Sequence, residues 1–243
     1  MHRSAQRLTR ILACAAVPVM LVVAGCSSDS GSGSDSGGKK GSDASSAAKS
    51  PSVKPSPTVE KAAFDKLPDP CKSVTQKTVN ALVPEAKDKS GTKSKSNDID
   101  SRGSCSWNGL EDDGLKGSQY RWLSVSLMRY DSDQALGSGN KRAEEQYAKQ
   151  LAAANAAQGA KGLKTAAVSG VGDQATSVTY TMRKNVDFRN QTIVVRTQNV
   201  VLTLDYNGTS YEGGKVPVTA EMLKDAQKAA KEVVAAIAAA NQR

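Results

Sequence analysis

The pattern of apolar and polar residues predicts five β-strands between residues 104 and 206. The clearest is Tyr120–Tyr130, in which Leu123, Val125 and Leu127 share one face and serines or a methionine occupy the other. This period of two is typical of an antiparallel strand with one buried face. The remaining four segments are short or rich in Val, Thr, Ile and Tyr, and their sequences are SCSWNG, ATSVTYTMR, QTIVVRT and QNVVLTLDY. The pair Asn207-Gly208 is predicted to end the last strand in a turn.

Helical patterns lie before, between and after these strands. Asp69 and Pro70 cap and open a short helical turn, and Thr75 caps a helix that ends before Pro84. An alanine-rich helix ends near Gly159, and a last helix begins near Thr219. The apolar positions of that last helix recur every three or four residues, at Leu223, Ala226, Ala230, Val233, Ile237 and Ala240. These elements predict an α+β domain with a single antiparallel sheet of about five strands and helices packed on one face.

Residues 1–25 have the pattern of a secretory signal peptide. Three arginines precede the apolar run ILACAAVPVMLVVAG, which is shorter than the roughly 20 residues that span a bilayer. The next residue is Cys26, and the sequence VAGC resembles the lipobox of bacterial lipoproteins, in which the peptide is cut before the cysteine and the thiol is acylated. We therefore predict Cys26 as the lipidation site of a protein held at the extracytoplasmic face of the cell membrane. The alternative is an ordinary signal peptide with Cys26 incidental.

Residues 26–63 contain few side chains that could form a core. Ser, Gly and Asp dominate the first part, and prolines recur in SPSVKPSPTVEK. Such a composition cannot offset the entropy of ordering, so we predict a disordered tether. The globular α+β domain is then predicted to occupy 64–243.

The charge pattern limits the classes of partner, and the cysteine content indicates the cellular compartment. The chain has 33 Lys and Arg against 24 Asp and Glu, a formal net charge of +9, but its cations are not interleaved with aromatics as at a nucleic-acid surface. We predict no nucleic-acid partner.

Cys14 leaves with the signal peptide, so Cys71 and Cys105 are the two cysteines of the domain. They are predicted to form one disulfide, with two free thiols as the alternative.

Several chemistries are disfavoured by the residues present. The one histidine is His2, in the predicted signal peptide, so the mature chain lacks a Ser-His-Asp or Cys-His nucleophile. The segment GVGDQA precedes a β-rich stretch and is predicted as a glycine turn, not a dinucleotide loop. The segment NDIDSRG could open a calcium loop, but such a loop would need an oxygen ligand at Arg102 and a glutamate at Gly109, so the segment is predicted as a polar turn. We predict no catalytic residues, no cofactor and no metal site.

Two classes of function remain. The first is a membrane-anchored binding or interaction module of the cell envelope, with an envelope protein or a small ligand as its partner. The second is a carboxylate-dependent glycan-processing enzyme, for which a pair such as Asp173 and Asp205 would have to converge to roughly 5 to 9 Å. The first class is favoured, and the protein is predicted not to be an enzyme. The aromatic residues that could line a binding cavity, or else pack in the core, are Trp107, Trp122, Tyr180 and Tyr206.

Three short motifs behind the predicted lipobox support a resemblance to a known family. They are DPC at 69–71, CSW at 105–107 and GVGDQA at 170–175, in that order. In this arrangement the chain resembles the actinobacterial lipoproteins of the domain-of-unknown-function family numbered 3558. The resemblance implies an α+β sheet domain in which the two cysteines are paired, and it implies no activity.

Overall fold

The computed structural model describes residues 58–96 and 98–242. The predicted signal peptide, Cys26 and most of the predicted tether lie outside these residues. Within them, seven strands form one antiparallel sheet in the order β1-β2-β3-β7-β6-β5-β4. The strands are β1 (Thr92–Lys93), β2 (Arg102–Asp112), β3 (Ser118–Arg129), β4 (Ala160–Ala167), β5 (Gln174–Arg183), β6 (Asp187–Thr197) and β7 (Val200–Tyr211), and the α-helices are α1 (Gln76–Leu82), α2 (Gly139–Asn155) and α3 (Thr219–Ala240).

The α+β class and the single antiparallel sheet are confirmed, but the strand count of five is wrong. The two strands missed by the prediction, β1 and β4, are the edges of the sheet. β1 has only two residues, which pair with Cys105 and Ser106 of β2. β4 has the sequence AKGLKTAA, which contains one β-branched residue, Thr165, and no aromatic residue, and it pairs with β5 across an irregularity between Lys161 and Lys164. Its extended form follows from this pairing more than from its own propensity.

The predicted turn at Asn207-Gly208 is also wrong, because β7 continues to Tyr211. Gly208 lies opposite Arg121 of β3 and Arg189 of β6. A Cβ atom at Gly208 would lie 3.1 Å from Cδ of Arg121, so glycine leaves room there for the arginine stem. Its role is close packing in the sheet and not a left-handed turn conformation.

The main core lies between one face of the sheet, here called the inner face, and helices α1 and α3. The predicted inward residues of β3 are Leu123, Val125 and Leu127, and each is at most 1% exposed. In α3 the buried residues are Met222, Ala226, Ala229, Ala230, Val233 and Ile237. The three alanines allow the helix to approach the sheet closely. Leu223 and Ala240, which the spacing assigned to the same stripe, are only half-buried.

The prediction that the helices pack on one face is wrong, because α2 packs on the opposite, outer face. Ala143 of α2 forms a second buried cluster with Val194 of β6 and Val201 of β7. The hydroxyl groups of Tyr147 and Thr176 lie 2.6 Å apart and join α2 to β5. The neighbours of Val194 in β6, Ile193 and Val195, belong to the inner core. The continuous apolar run of β6 is therefore buried on both faces.

The structure joins Cys71 to Cys105 by a disulfide with a Cα–Cα separation of 5.1 Å across 34 residues of sequence. Asp69 accepts a hydrogen bond from the backbone N–H of Cys71 as the predicted cap, with Pro70 opening the short 3-10 helix Pro70–Lys72. Cys105 is 1% exposed and belongs to the inner core together with Trp107. The disulfide therefore fastens the start of the domain to the centre of β2.

Two asparagines hold the N-terminal segment against one end of the sheet. The buried Asn199 accepts a hydrogen bond from Phe64 N–H through Oδ1, and its Nδ2 donates to the carbonyl oxygens of Phe64 and Tyr130. Asn241, after α3, accepts from the backbone N–H groups of Asp65 and Lys66. This asparagine clamp lies where β7 begins and where β3 has just ended, so the chain enters the domain at that end of the sheet.

Candidate functional site

The outer face of the sheet is covered by α2 over one half only, and the other half carries a pocket. Seven residues surround this cavity of about 310 Å³: Tyr120, Trp122, Met182, Lys184, Phe188, Asn190 and Asn207. We call it the outer pocket. It lies toward the end of the sheet opposite the asparagine clamp, because Asn207 is eight residues beyond Asn199, about 27 Å along β7. Three aromatic rings, two carboxamides and one ammonium group form its wall.

The register of four strands places these residues side by side. Trp122 of β3 is opposite Asn207 of β7, Asn207 is opposite Asn190 of β6, and Asn190 is opposite Tyr180 of β5. In the ladder pairs next to this row, the rings of Tyr120 and Phe188 pack edge to face, with centroids 6.4 Å apart. Backbone hydrogen bonds in the ladders fix the four strands and therefore the positions from which these side chains project.

Several polar groups of the outer pocket have unused hydrogen-bonding capacity. Asn190 Nδ2 donates to the Phe188 carbonyl oxygen at 3.0 Å, which leaves its Oδ1 as an acceptor. The carboxamide of Asn207 and the indole N–H of Trp122 make no hydrogen bond to the part of the chain that the structure describes. Both residues are half-buried. The pocket therefore offers donors and acceptors together, beside aromatic faces.

Asp205 lies behind this row, two residues before Asn207 on the same face of β7. It accepts a hydrogen bond of 2.6 Å from the hydroxyl of Thr192, its partner on β6. Burial raises the pKa of the Asp205 carboxyl above 3.8, its ordinary value, and the Thr192 bond only partly opposes this. Burial, followed by the charge of Asp205, raises the pKa of Tyr180. Burial therefore favours the neutral form of the Asp205 carboxyl in the folded protein.

Replacing Asp205 by Asn is expected to raise the melting midpoint at pH 7. An acid whose pKa is higher in the folded protein than in the unfolded chain contributes stability below the unfolded pKa and loses it as the pH rises through the folded pKa. Asn keeps an acceptor for Thr192 without the buried charge. The advantage of Asp205→Asn over wild type should therefore shrink as the pH falls toward 4, as measured by thermal unfolding across that range. The exposed Asp100→Asn is the control, and a lower midpoint for Asp205→Asn at pH 7 would contradict the assignment.

The structure does not bring Asp173 and Asp205 together. Asp173 accepts from the backbone N–H of Gln198 at 2.7 Å and forms an ion pair of 3.4 Å with Arg196. Arg196 is four residues along β6 from Thr192, the partner of Asp205, which corresponds to about 13 Å of strand. The two carboxylates that the enzyme hypothesis required to converge thus lie at different rows of the sheet.

Of the four aromatic residues proposed to line a cavity, the structure places Trp122 in the outer pocket and Tyr180 beside it. Trp107 is 1% exposed and packs in the inner core. Tyr206 also faces inward, where it lines a second pocket described below, donates a 2.7 Å hydrogen bond to the Leu82 carbonyl oxygen, and has its pKa raised by burial to about 12. Sequence reasoning missed Tyr120, Phe188, Met182 and both asparagines, although the position of Tyr120 opposite the apolar face of β3 was a usable signal.

A second pocket, of about 280 Å³, lies at the inner face between α1 and the start of α3. Its central cation is Arg121, which donates to Gln119 Oε1 at 2.6 Å and to the carbonyl oxygens of Tyr120 and Thr209. Acidic residues also line this pocket, namely Glu111, Glu221 and Asp225. Charges of both signs are therefore mixed in this pocket, and Arg121 is already held by the protein.

The other sequence motifs form turns. Gly170 and Gly172 have φ values of 67° and 60°, and the chain then enters β5 at Gln174, so the predicted glycine turn into a strand is confirmed. Asp98 accepts a hydrogen bond from Ser101 N–H within a polar turn. Residues 58–96 and 98–242 contain no group of three or more His, Cys, Asp or Glu placed to hold a metal ion. None of the helices in these ranges is both long and apolar enough to cross a bilayer.

Comparison with known proteins identifies the family. Residues 21–195 match the model of the family described as protein of unknown function (DUF3558). The chain belongs to this family. The resemblance predicted from the three motifs is thereby confirmed as to family, and the match to DUF3558 includes every residue of the outer pocket except Asn207. None of the curated proteins matches the chain.

Three solved structures show weak similarity to this DUF3558 protein. LpqN, described as involved in cell envelope biogenesis of Mycobacterium tuberculosis, is 16% identical with a TM-score of 0.29, over 53% of this chain and 68% of LpqN. Ara h 8.0201 is 10% identical with a TM-score of 0.17, over 76% of this chain and 94% of its own. TTHA0849 from Thermus thermophilus is 10% identical with a TM-score of 0.15, over 72% and 88% of the two chains. Scores this low transfer neither fold nor function.

Proposed function

We propose that this DUF3558 protein is a lipid-anchored, extracytoplasmic binding module of the cell envelope, and that the outer pocket holds a small ligand. The sequence of residues 1–26 supports the anchoring, since a basic segment, an apolar run and VAGC stand in the order that lipoprotein processing requires. The observation that carries the binding role is the outer pocket itself, in which aromatic rings and two carboxamides with unused hydrogen-bonding capacity converge on one cavity.

The composition of the outer pocket differs from that of an ordinary solvated sheet face. An antiparallel sheet that faces water alternates apolar residues inward with charged or small polar residues outward. Here Tyr120, Trp122 and Phe188 are half-buried on the outer side, next to Asn190, which is 8% exposed. A concave, mostly apolar wall with a few placed polar groups is the usual form of a small-molecule site. These features support ligand binding at this surface.

The enzyme hypothesis has less support. Catalysis by a carboxylate pair needs two acids close together, whereas Asp205 hydrogen-bonds to Thr192 and Asp173 lies at a different row. The mature chain predicted from the sequence lacks histidine as a general base. We therefore propose binding without turnover.

Site-specific photo-crosslinking in intact cells tests this proposal. A photoreactive amino acid in place of Lys184, at the outer pocket, should yield a discrete mass adduct on the purified protein. The same group in place of the exposed Lys116, outside the outer pocket, should not. Combining the Lys184 probe with Trp122→Ala should reduce the adduct, while Trp122→Phe should largely preserve it. Equal labelling at both positions, or none at Lys184, would contradict binding in the outer pocket.

A further inference from the structure

We propose that the ligand of the outer pocket is a neutral saccharide, either a small sugar or the end of a longer glycan. This inference rests on the proposed binding function and adds the chemical class of the ligand. Three properties of the pocket carry it, namely its paired donors and acceptors, its aromatic faces and its charge.

The hydrogen-bonding groups of the pocket complement hydroxyl groups. A sugar hydroxyl both donates and accepts, so a complementary wall must offer donors and acceptors side by side. The free carboxamide of Asn207 supplies one acceptor oxygen and two donor hydrogens. Asn190 Oδ1 on the adjacent strand adds an acceptor, and Trp122 across the ladder from Asn207 adds a donor. Adjacent hydroxyls on one ring could bond to these groups without leaving any of them unpaired.

The aromatic residues supply the apolar half of the same recognition. One face of a pyranose ring presents C–H groups, which carry a small positive charge and pack favourably on the negative face of an aromatic ring. Trp122 lies in the same row as the two asparagines, and Tyr120 and Phe188 lie in the adjoining ladder pairs. A ligand that contacts the rings is therefore within reach of the carboxamides.

The charge of the pocket disfavours ionic ligands. Lys184 is the one residue with a formal charge at neutral pH among the seven that surround the cavity, and its ammonium group would repel a cationic ligand. An anionic ligand would pair with Lys184 but would leave the acceptor oxygen of Asn190, whose Nδ2 already donates to the Phe188 carbonyl, without a donor. A neutral ligand meets neither penalty.

The volume of the pocket limits the part of the ligand that it can enclose. At about 310 Å³ the cavity is at the small end of the range for ligand sites, roughly 300 to 1,000 Å³. The cavity therefore suits a small sugar or a terminal unit, with the rest of a longer chain outside.

Saturation-transfer NMR with the full-length protein tests the ligand class. The protein is purified in a polyoxyethylene detergent, because alkyl-glycoside detergents would compete. The probes are maltose and trehalose as neutral disaccharides, and glucose, glucosamine and glucuronate as a matched neutral, cationic and anionic set. We expect signal transfer to the neutral sugars, strongest at their C–H protons. Asn207→Ala and Trp122→Ala should each weaken binding by about tenfold, and Asn80→Ala, on α1 outside the outer pocket, should leave it unchanged.

The outcomes separate this inference from the proposed function. Pocket-dependent transfer to neutral sugars supports the inference. Tighter binding of glucosamine or glucuronate than of glucose, or no pocket-dependent transfer to any sugar, overturns it. If Lys184 crosslinking still yields its adduct in that case, the ligand class fails and the binding function stands, and if both experiments are negative, both fail. Melting midpoints of the variants within a few degrees of wild type establish that lost binding is not lost folding.

Discussion

Replacing Cys71 by Ser is expected to lower the free energy of unfolding by about 4 kcal/mol, since the disulfide to Cys105 closes a loop of 34 residues. For a domain of this size, that loss corresponds to a fall of roughly 8 to 15 °C in the melting midpoint. The fall in melting midpoint should be near the upper end of this range. Cys105 lies in the inner core beside Trp107, so breaking the disulfide also loosens packing at β2. Thermal unfolding monitored by circular dichroism under non-reducing conditions measures it.

Reduction provides the matched control for this prediction. Treatment of the wild type with a phosphine reductant should bring its midpoint down to that of Cys71→Ser, while the variant itself should not respond. Midpoints that agree between wild type and variant without reductant would show that the disulfide does not stabilise the domain.

Replacing Cys26 by Ser is expected to move the protein from the membrane to the soluble fraction almost completely. Each buried CH2 group of an acyl chain contributes about 0.8 kcal/mol to membrane binding, and two chains together give stable anchoring where one is marginal. The substitution removes the sulfur to which the predicted lipid is attached. Detergent phase partitioning, followed by mass measurement of the N-terminal peptide, should place wild type in the detergent phase with an acylated Cys26.

The predicted signal peptide contains one cysteine, Cys14, that serves as control. Cys14→Ser should partition like wild type, because Cys14 precedes the predicted cleavage point. Recovery of the wild-type protein in the aqueous phase with an unmodified N-terminus would refute the anchoring prediction.

Local sequence signals predicted those parts of the fold that depend on neighbouring residues. Thr75 caps α1 by accepting from Thr78 N–H, as its position before a helical run predicts. The alternation in Tyr120–Tyr130 identified the buried side chains of β3 because a period of two needs no knowledge of the partner strand. Prediction failed where pairing determines the structure, as in β4, whose small and charged residues become a strand only alongside β5.

The outer pocket could not be assembled from the sequence for the same reason. Trp122 and Asn207 are far apart along the chain and meet because β7 inserts between β3 and β6. Asn207 followed by glycine favours a turn when taken alone, and only the arginine stems on both sides show why glycine stands in a strand. Similarly, the side of the sheet to which α2 docks depends on the crossover between β3 and β4, which local periodicity does not specify.

The asparagine clamp has a mechanical consequence. Asn199 holds the incoming chain at the start of β7, and Asn207 faces the outer pocket near the other end of that strand. Tension between an anchor and a captured ligand would therefore run parallel to β3 and β7. The ladder hydrogen bonds are perpendicular to the strands and would be loaded together in shear instead of unzipping one at a time. Load applied between the asparagine clamp and the outer pocket would thus be shared by the ladder hydrogen bonds of β7 at once.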